Sequence, residues 1–533
     1  MSQGIRGRMR DDAGVAMITV LGVIAVITVL AVGSFAIAQQ ALLDSKRVED
    51  ETMAFRAAVS GLDTEMATFT DSSLSDTYPK AGSTEDGTFE ITIEDIGGDQ
   101  YRLVSTGTGR DGSIERVAQE FYYMNLWKMN FAGAGLDSLV SGANKFTGSS
   151  NVVGPFYMRN SFTLSASMYV AEGPLFVKDG DCSYLQGKFG LSGEPVDLFC
   201  DGDTADLEAA AAKSGGTKVF IGKISRAVPD ISIPAITQTD LESWASRAVA
   251  ESVDNNMGSL SRGTVVNMET TGGTPTSYAT MFQPTYTRAS ADSTNPNYKY
   301  IGVVDAGGPQ IASSGEGTHG LTIGLATPSF GFWGSTNTTN GVTTNASGAV
   351  LAGYPVGLYA NNIHDDFAWD AARKILFVEG TVFIDGPFTL DTSIEYIGNG
   401  TIVANGAITV NGLMRPAGTA PQSREREWAL GLVSPTDIVF TANTPEGGGV
   451  SPNETDVDTI RDTKADVSGA FYAGESVTIP EKLFMSGSVI TNKIFGGRNN
   501  LWLVTNPYLP DYLPESLPGS GGGLMMPSLW TRY

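Results

Sequence analysis

From Val15 to Ala38 the chain reads VAMITVLGVIAVITVLAVGSFAIA, 24 residues without a charge, and the uncharged stretch persists to Leu43. At 1.5 Å per residue such a helix reaches about 36 Å, enough to cross a hydrocarbon core with some tilt. It is too long for the apolar core of a secretory signal, and no small-residue cleavage motif follows it. Arg6, Arg8 and Arg10 stand just before the span, so the positive-inside rule keeps the first residues cytoplasmic and sends the rest outside as a single-pass protein. Beyond the span no proline occurs before Pro79, and Val48, Thr52, Phe55, Val59, Leu62, Met66 and Phe69 recur at alternating spacings of four and three. That pattern predicts a helix running on to about Phe69, roughly 55 residues and about 80 Å, spanning in its first half and amphipathic in its second.

The period then changes to two. GTFEITIEDIGGDQYRLVSTGTGRDGSIERVAQEFYY alternates through Phe89, Ile91 and Ile93, then Tyr101 and Leu103, then Ile114 to Tyr122. Gly97-Gly98 and Asp111-Gly112 are hairpin signals between these runs, so residues 71–125 are expected to form a small three-stranded antiparallel meander covering the outer half of the helix.

A short basic leader ending in Gly14, an apolar helix from Val15, an amphipathic continuation and a meander together resemble a type IV prepilin. The segment AQQALLDSKRVEDETMAFRAAVSGLD is similar to the N-terminal region of PilX-type minor pilins, where an AF-x-AA-x-x-GL pattern recurs just outside the membrane. The resemblance covers residues 5–125, about a quarter of the chain. It implies that prepilin peptidase cuts after Gly14 on the cytoplasmic side, leaving Val15 as the first mature, N-methylated residue. Major pilins carry a glutamate at the fifth mature position, where it pairs with a neighbouring subunit's terminal amine; here that position is Thr19. Since a carboxylate in lipid is costly unless paired, its absence shifts the resemblance from a shaft subunit to a minor or tip subunit.

The outer region repeats itself. VFIDGPFTL at 382–390 matches IVANGAITV at 402–410 with a shift of 20, placing Gly386 on Gly406, Phe388 on Ile408 and Leu390 on Val410. FYMRNSFTL from Phe156 matches FVKDGDCSY from Phe176, again shifted by 20, and AFYAGESVTI at 470–479 repeats the same form. Short strands with an Asn/Asp-Gly corner every 20 residues predict a mainly β head built as a right-handed parallel β-helix, a solenoid, with an antiparallel sandwich as the other reading. Two solenoid parts are expected, 126–236 and 371–505, separated by a polar insertion at 237–370. The insertion opens with a helix after Thr239, with Leu241, Trp244, Ala245 and Val249 on one face, and continues in polar tracts such as TGGTPTSYATMF and WGSTNTTNGVTTNASG. The tail at 506–533 carries five prolines and is expected to be extended, without regular structure.

Composition agrees with a long β architecture rich in turns. The 533 residues include 64 Gly and only 17% charged residues, with a net charge of −24 and a mean hydropathy of −0.04 that averages one apolar helix against a long polar head. The acidic balance argues against nucleic acid as a partner, because phosphate binding needs basic patches. With only His319 and His364 available, histidine catalysis and multi-histidine metal sites are disfavoured, and no metal or cofactor is expected.

Cys182 and Cys200, 18 residues apart and close to one coil, are expected on adjacent strands, as a structural disulfide or as two buried thiols. GEGTHG at 315–320 fits a dinucleotide pattern but neither follows a clear strand nor opens a helix. The acidic clusters Asp201, Asp203, Asp206 and Asp456, Asp458, Asp462 have calcium-like spacing but lack the glycine and terminal glutamate of an EF-hand, and His364-Asp365-Asp366 reads as a solvated loop. Glu379 and Asp385, near a repeat corner, are the carboxylates on which a carbohydrate-active β-helix enzyme would have to rely. The sequence therefore favours a non-enzymatic, minor pilin-like subunit of a type IV pilus or related filament. Its partners would be the membrane, prepilin peptidase, other pilins and a surface or glycan ligand. A head of about 460 residues, with a radius of gyration near 23 Å, is too bulky for every shaft position, which favours the tip. An anchored surface protein with a structural solenoid and the carbohydrate-active enzyme are the alternatives.

Overall fold

The computed structural model describes residues 8–138, 150–254, 299–327, 367–417, 428–441, 457–506 and 509–532, less short gaps inside these ranges, and the strand pairs at 265–266, 338–339 and 342–343. The described residues are mostly β. The chain divides into two compact units: Met1–Tyr123 with Pro527–Tyr533, and Met124–Met526.

The first unit is built on one helix, α1 (Arg8–Thr68), followed by β1 (Lys80–Ser83), β2 (Gly87–Gly97), β3 (Gln100–Gly109) and β4 (Ile114–Asn125). β2 and β3 pair antiparallel from Gly87↔Gly109 to Gly97↔Gln100, and β3 and β4 from Gln100↔Tyr122 to Thr108↔Ile114. The hairpins fall where the glycines predicted them, and Gly112 takes φ +91, a conformation that residues with a side chain rarely adopt. The sheet order is β1-β2-β3-β4 followed by Gly523–Arg532. The meander expected with three strands therefore has five, and part of the tail expected without regular structure supplies the last of them. Pro527 misleads the sequence argument, because an edge strand tolerates proline where a central strand does not.

The helix face beneath the sheet also differs from expectation. Ala54, Ala57, Ala58, Gly61 and Leu62 are buried, while Val48 and Thr52 are exposed and Phe55 and Val59 half-buried. Small residues win because the sheet approaches closely: a Cβ built on Gly107 of β3 would lie 2.1 Å from the Ala54 carbonyl oxygen and 2.5 Å from the Ala58 nitrogen. Bulky side chains at 54 and 58 would hold the sheet off, so the tightest contact uses residues that contribute little to a hydrophobic periodicity.

The second unit consists of short parallel strands in ladders. Gly380–Ile384 pairs with Asn399–Ala404 at a shift of 20, from Gly380↔Gly400 to Ile384↔Ala404, and Phe388–Asp391 pairs with Ile408–Val410 at the same shift. The ladders continue through Ala429–Ser434 and Asp437–Phe440 to Val467–Ile479 and Leu483–Gly496. The earlier repeat is slipped by one in its first half: Phe156 faces Leu175, although Phe162 faces Cys182 as aligned. The corner after Met158 holds three residues and that after Val177 four, which absorbs the difference.

The order of the strands in space is not their order in sequence. Leu483–Gly496 pairs with Phe131–Gly133 and Gly135–Ser138, and Leu501–Val504 with Ser150–Val153. From there Phe156–Met158, Leu175–Val177, Val196–Cys200 and Ile221–Ser225 extend the stack one way. At the opposite end Tyr300–Asp305 and Leu321–Gly324 pair with Gly380–Ile384 and Phe388–Asp391, so strands inside the predicted insertion belong to the ladders. Between the ends the chain runs past Tyr157, whose hydroxyl accepts the Ile231 amide at 3.2 Å, and past Tyr472, which donates to the Pro234 carbonyl. It then enters the helix Gln238–Asp254, begun by a reciprocal cap between Thr237 and Asp240 and buried along Leu241, Ala245 and Ala248. Inside the ladders alternate residues such as Val382, Ile384, Phe388, Leu390, Ile402 and Ile408 are fully buried and form one core. The tracts TGGTPTSYATMF and WGSTNTTNGVTTNASG lie largely outside the described residues.

Candidate functional site on the N-terminal helix

The first half of α1 is an apolar surface with nothing packed on it among the described residues. From Met17 the helix is long and apolar enough to cross a membrane, and its apolar stretch is not buried. Thr28 turns its hydroxyl back onto the Ile24 carbonyl at 2.8 Å, which keeps a polar group satisfied without a partner from outside the helix. Gly14 and Val15 lie within α1, and Thr19 lies five residues after Gly14, inside the apolar stretch. Leader residues 1–7 lie outside the described residues. Past Asp44 the surface becomes charged, with an Arg47–Glu51 pair at 2.9 Å one turn apart.

The second half is gripped on one side and open on another. Glu65 is buried and accepts hydrogen bonds from the Tyr78 hydroxyl and Lys80 Nζ, each at 2.6 Å, while Lys80 also reaches Asp76 at 2.8 Å. Hydrogen bonds to Asp76 and then Glu65 raise the Lys80 pKa above the ordinary lysine range, and burial and Glu65 raise that of Tyr78. This cluster pins the chain between α1 and β1 to the helix. Phe69 adds edge-on ring contacts to Phe121 and Tyr123 at 5.1 and 5.0 Å. Away from the sheet, Phe55, Arg56, Val59, Ser60, Asp63 and Thr64 line a shallow open groove along the helix. The predicted stripe is thus divided: Leu62 serves the sheet, and Phe55 and Val59 face the groove.

The other residues singled out by sequence have structural duties. Cys182 and Cys200 are buried free thiols, not a bridge. They are not ladder partners, since Cys200 pairs with Val177 and the Cys182 amide bonds to the Asp203 carbonyl at 2.8 Å. A hydrogen bond with the Cys200 sulfur, then burial, pushes the Cys182 thiol up. A raised pKa means less thiolate at any given pH, so maleimide labelling of Cys182 at pH 8 is expected to run at least about tenfold slower than in the urea-unfolded chain, measured by mass spectrometry.

Asp201 pairs with Lys178 at 3.2 Å, and Asp203 accepts the Ala205 amide at 3.0 Å at the start of the helix Ala205–Ala211. Asp206 lies in the first turn of that helix, where a negative charge suits its N-terminal dipole. Asp458 and Asp462 fall in the helix Val457–Asp462, and Asp456 and His364 lie outside the described residues. Among the described residues no group of three or more metal-ligating side chains comes together.

The GEGTHG loop lies flat on a ladder corner. Gly315 N–H donates to Asn405 Oδ1 at 2.7 Å, Gly317 N–H to the Asn405 carbonyl at 3.0 Å and His319 N–H to the Asp385 carbonyl at 2.8 Å. Its amides are committed to the fold, and the chain continues as the strand Leu321–Gly324, unlike the helix that a dinucleotide site requires. Buried Asp385 accepts the Asn405 side-chain amide at 2.9 Å, while exposed Glu379 accepts the Asn399 amide at 3.1 Å beyond the other end of Gly380–Ile384. Five intervening residues of strand put them about 20 Å apart along the backbone, beyond the reach of a glycosidase carboxylate pair.

No family profile matches the chain, and no curated protein and no solved structure matches it.

Proposed function

We propose that the protein is a minor, pilin-like subunit of a type IV pilus or related filament, carrying a head whose parallel ladders wind as a β-helix. The observation that carries this reading is the division of α1: a bare apolar half beginning beside Gly14, and a second half clasped by a small antiparallel sheet. A simple membrane anchor has no need of a helix that continues rigidly beyond the bilayer with its own sheet. The AF-x-AA-x-x-GL pattern supports the reading physically, because Ala54, Ala57, Ala58, Gly61 and Leu62 are the residues buried beneath the sheet. Cleavage after Gly14 leaves Val15 at the start of the apolar helix; the helix then leaves the bilayer and packs among others, with the Phe55–Val59 groove available to a neighbour and the head displayed at the tip toward surfaces or glycans.

Co-expression with a prepilin peptidase tests this. The expected mature N-terminus is Val15, and Gly14→Leu is expected to abolish processing. An intact leader, or a cut beyond Ala38, would sink the reading. Cleavage without recovery of the protein in filament preparations would favour an anchored surface protein.

A further inference from the structure

The first unit is made from both ends of the chain. After β4 the chain leaves this unit for about 400 residues and returns to it only with its last ten or so, which take their place beside β4. We propose that the free edge of β4 is an acceptor site for one extended strand, that Gly523–Arg532 of the same chain is its occupant, and that filling it reports completion of the intervening unit.

Three observations support this. First, without Gly523–Arg532 the side of β4 away from β3 presents a row of unpaired backbone N–H and C=O groups, a ready template for any strand. Second, the second unit holds the returning segment at its own point of departure. Trp127, two residues past the end of β4, is fully buried and donates its indole N–H to the Pro518 carbonyl at 3.0 Å, and Leu509 and Leu517 are buried. Since Leu501–Val504, just before this segment, pairs with Ser150–Val153, the strand is delivered close to Trp127 only when the ladders have closed. Third, the occupant ends the sheet. Successive residues of a strand direct their N–H groups to opposite sides, and Pro527 has none, so its position suits the outward side and blocks addition of a further strand there. A site that is open when empty and self-terminating when filled serves a device that is completed once.

The alternation gives a sharp test in the full-length chain. If Pro527 faces outward, Ser528 donates toward β4 and Leu529 does not. Ser528→Pro is expected to speed amide exchange in β4 by about tenfold or more while Leu529→Pro leaves it within about twofold, with exchange in the ladders of the second unit unchanged in both. A chain ending at Gly522 is expected to bind a synthetic peptide of residues 523–532 one to one and regain β4 protection, and a scrambled peptide is not. Equal effects of the two proline variants, unchanged β4 exchange in the shortened chain, or equal binding of the scrambled peptide would each overturn the proposal. A dimer exchanging strands between copies, seen by light scattering of the full chain, would overturn the assignment to the same chain. None of these outcomes depends on filament assembly, so the proposal and the pilin reading fail separately.

Discussion

Gly107→Val is expected to detach the small sheet from α1. The hydrogen now at this position leaves room for the helix backbone, and a Cβ there would meet the Ala54 carbonyl oxygen at 2.1 Å and the Ala58 nitrogen at 2.5 Å. Both are backbone atoms of a helix and cannot swing aside as a side chain would. Relief therefore requires β3 to lift by an ångström or more along its length, which also loosens Phe89 over Gly61, where contact is already close. Overpacking of side chains costs about 1–3 kcal/mol, and a clash with backbone belongs at or above the top of that range. The measurement is amide exchange in detergent: residues of β3 and of α1 from Asp50 to Glu65 should lose protection, and the second unit should keep its own. Unchanged protection in β3 would mean that the sheet does not depend on this close approach.

Glu65→Ala should have the next largest effect in this unit. The carboxylate is buried and holds Tyr78 and Lys80 at 2.6 Å each, so its removal strands the Tyr78 hydroxyl and leaves the Lys80 ammonium with Asp76 alone. Breaking a fully buried pair costs about 3–5 kcal/mol; Lys80 is about one-third exposed, which reduces the expected loss to about 2–3 kcal/mol. The sign of the pH dependence follows from Lys80. Its pKa is higher folded than unfolded, so its contribution is fully present below the ordinary lysine value and is lost as pH rises through the raised one. The part of the stability gap between the parent and Glu65→Ala that runs through Lys80 should therefore persist at neutral pH and narrow in strong alkali, followed by thermal melting of the first unit. Glu65→Gln, which keeps an acceptor for Tyr78, should recover part of the loss.

The long apolar helix, the alternating β2 to β4 and the 20-residue repeat at 382–410 were all legible because each carries a strong periodicity in large apolar residues. The docking face of α1 was not, since Ala54, Ala57, Ala58 and Gly61 hardly register on a hydrophobicity scale and the bulky Val48, Phe55 and Val59 set the apparent stripe. The slip between Phe156 and Leu175 escaped because a corner can gain one residue without disturbing the strands on either side. Nothing in local pattern announces that Phe131 pairs with Val489: any strand of matching alternation fits a parallel ladder, so the order of stacking is decided by packing over the whole unit. Cys182 and Cys200 show the reverse error: a spacing near one repeat suggested ladder partners, but Cys200 pairs with Val177 before the corner and Cys182 begins the strand after it. The structure adds Glu65, Gly107 and Trp127 to the residues that matter, and of these only a lone acid on a helix face otherwise read as apolar offered a signal.

The pairing of Phe131 with Val489 closes a loop of 358 residues between two strands that lie side by side. Loops of that length form slowly, and a chain synthesised from its N-terminus presents Phe131–Ser225 long before Leu483–Val504 is made. During that interval the strands around Phe131 and Ser150 wait with one edge unpaired and apolar. The time spent in that half-built state, and not the stability of the finished ladders, would limit how much of the protein can accumulate before neighbouring copies begin to associate.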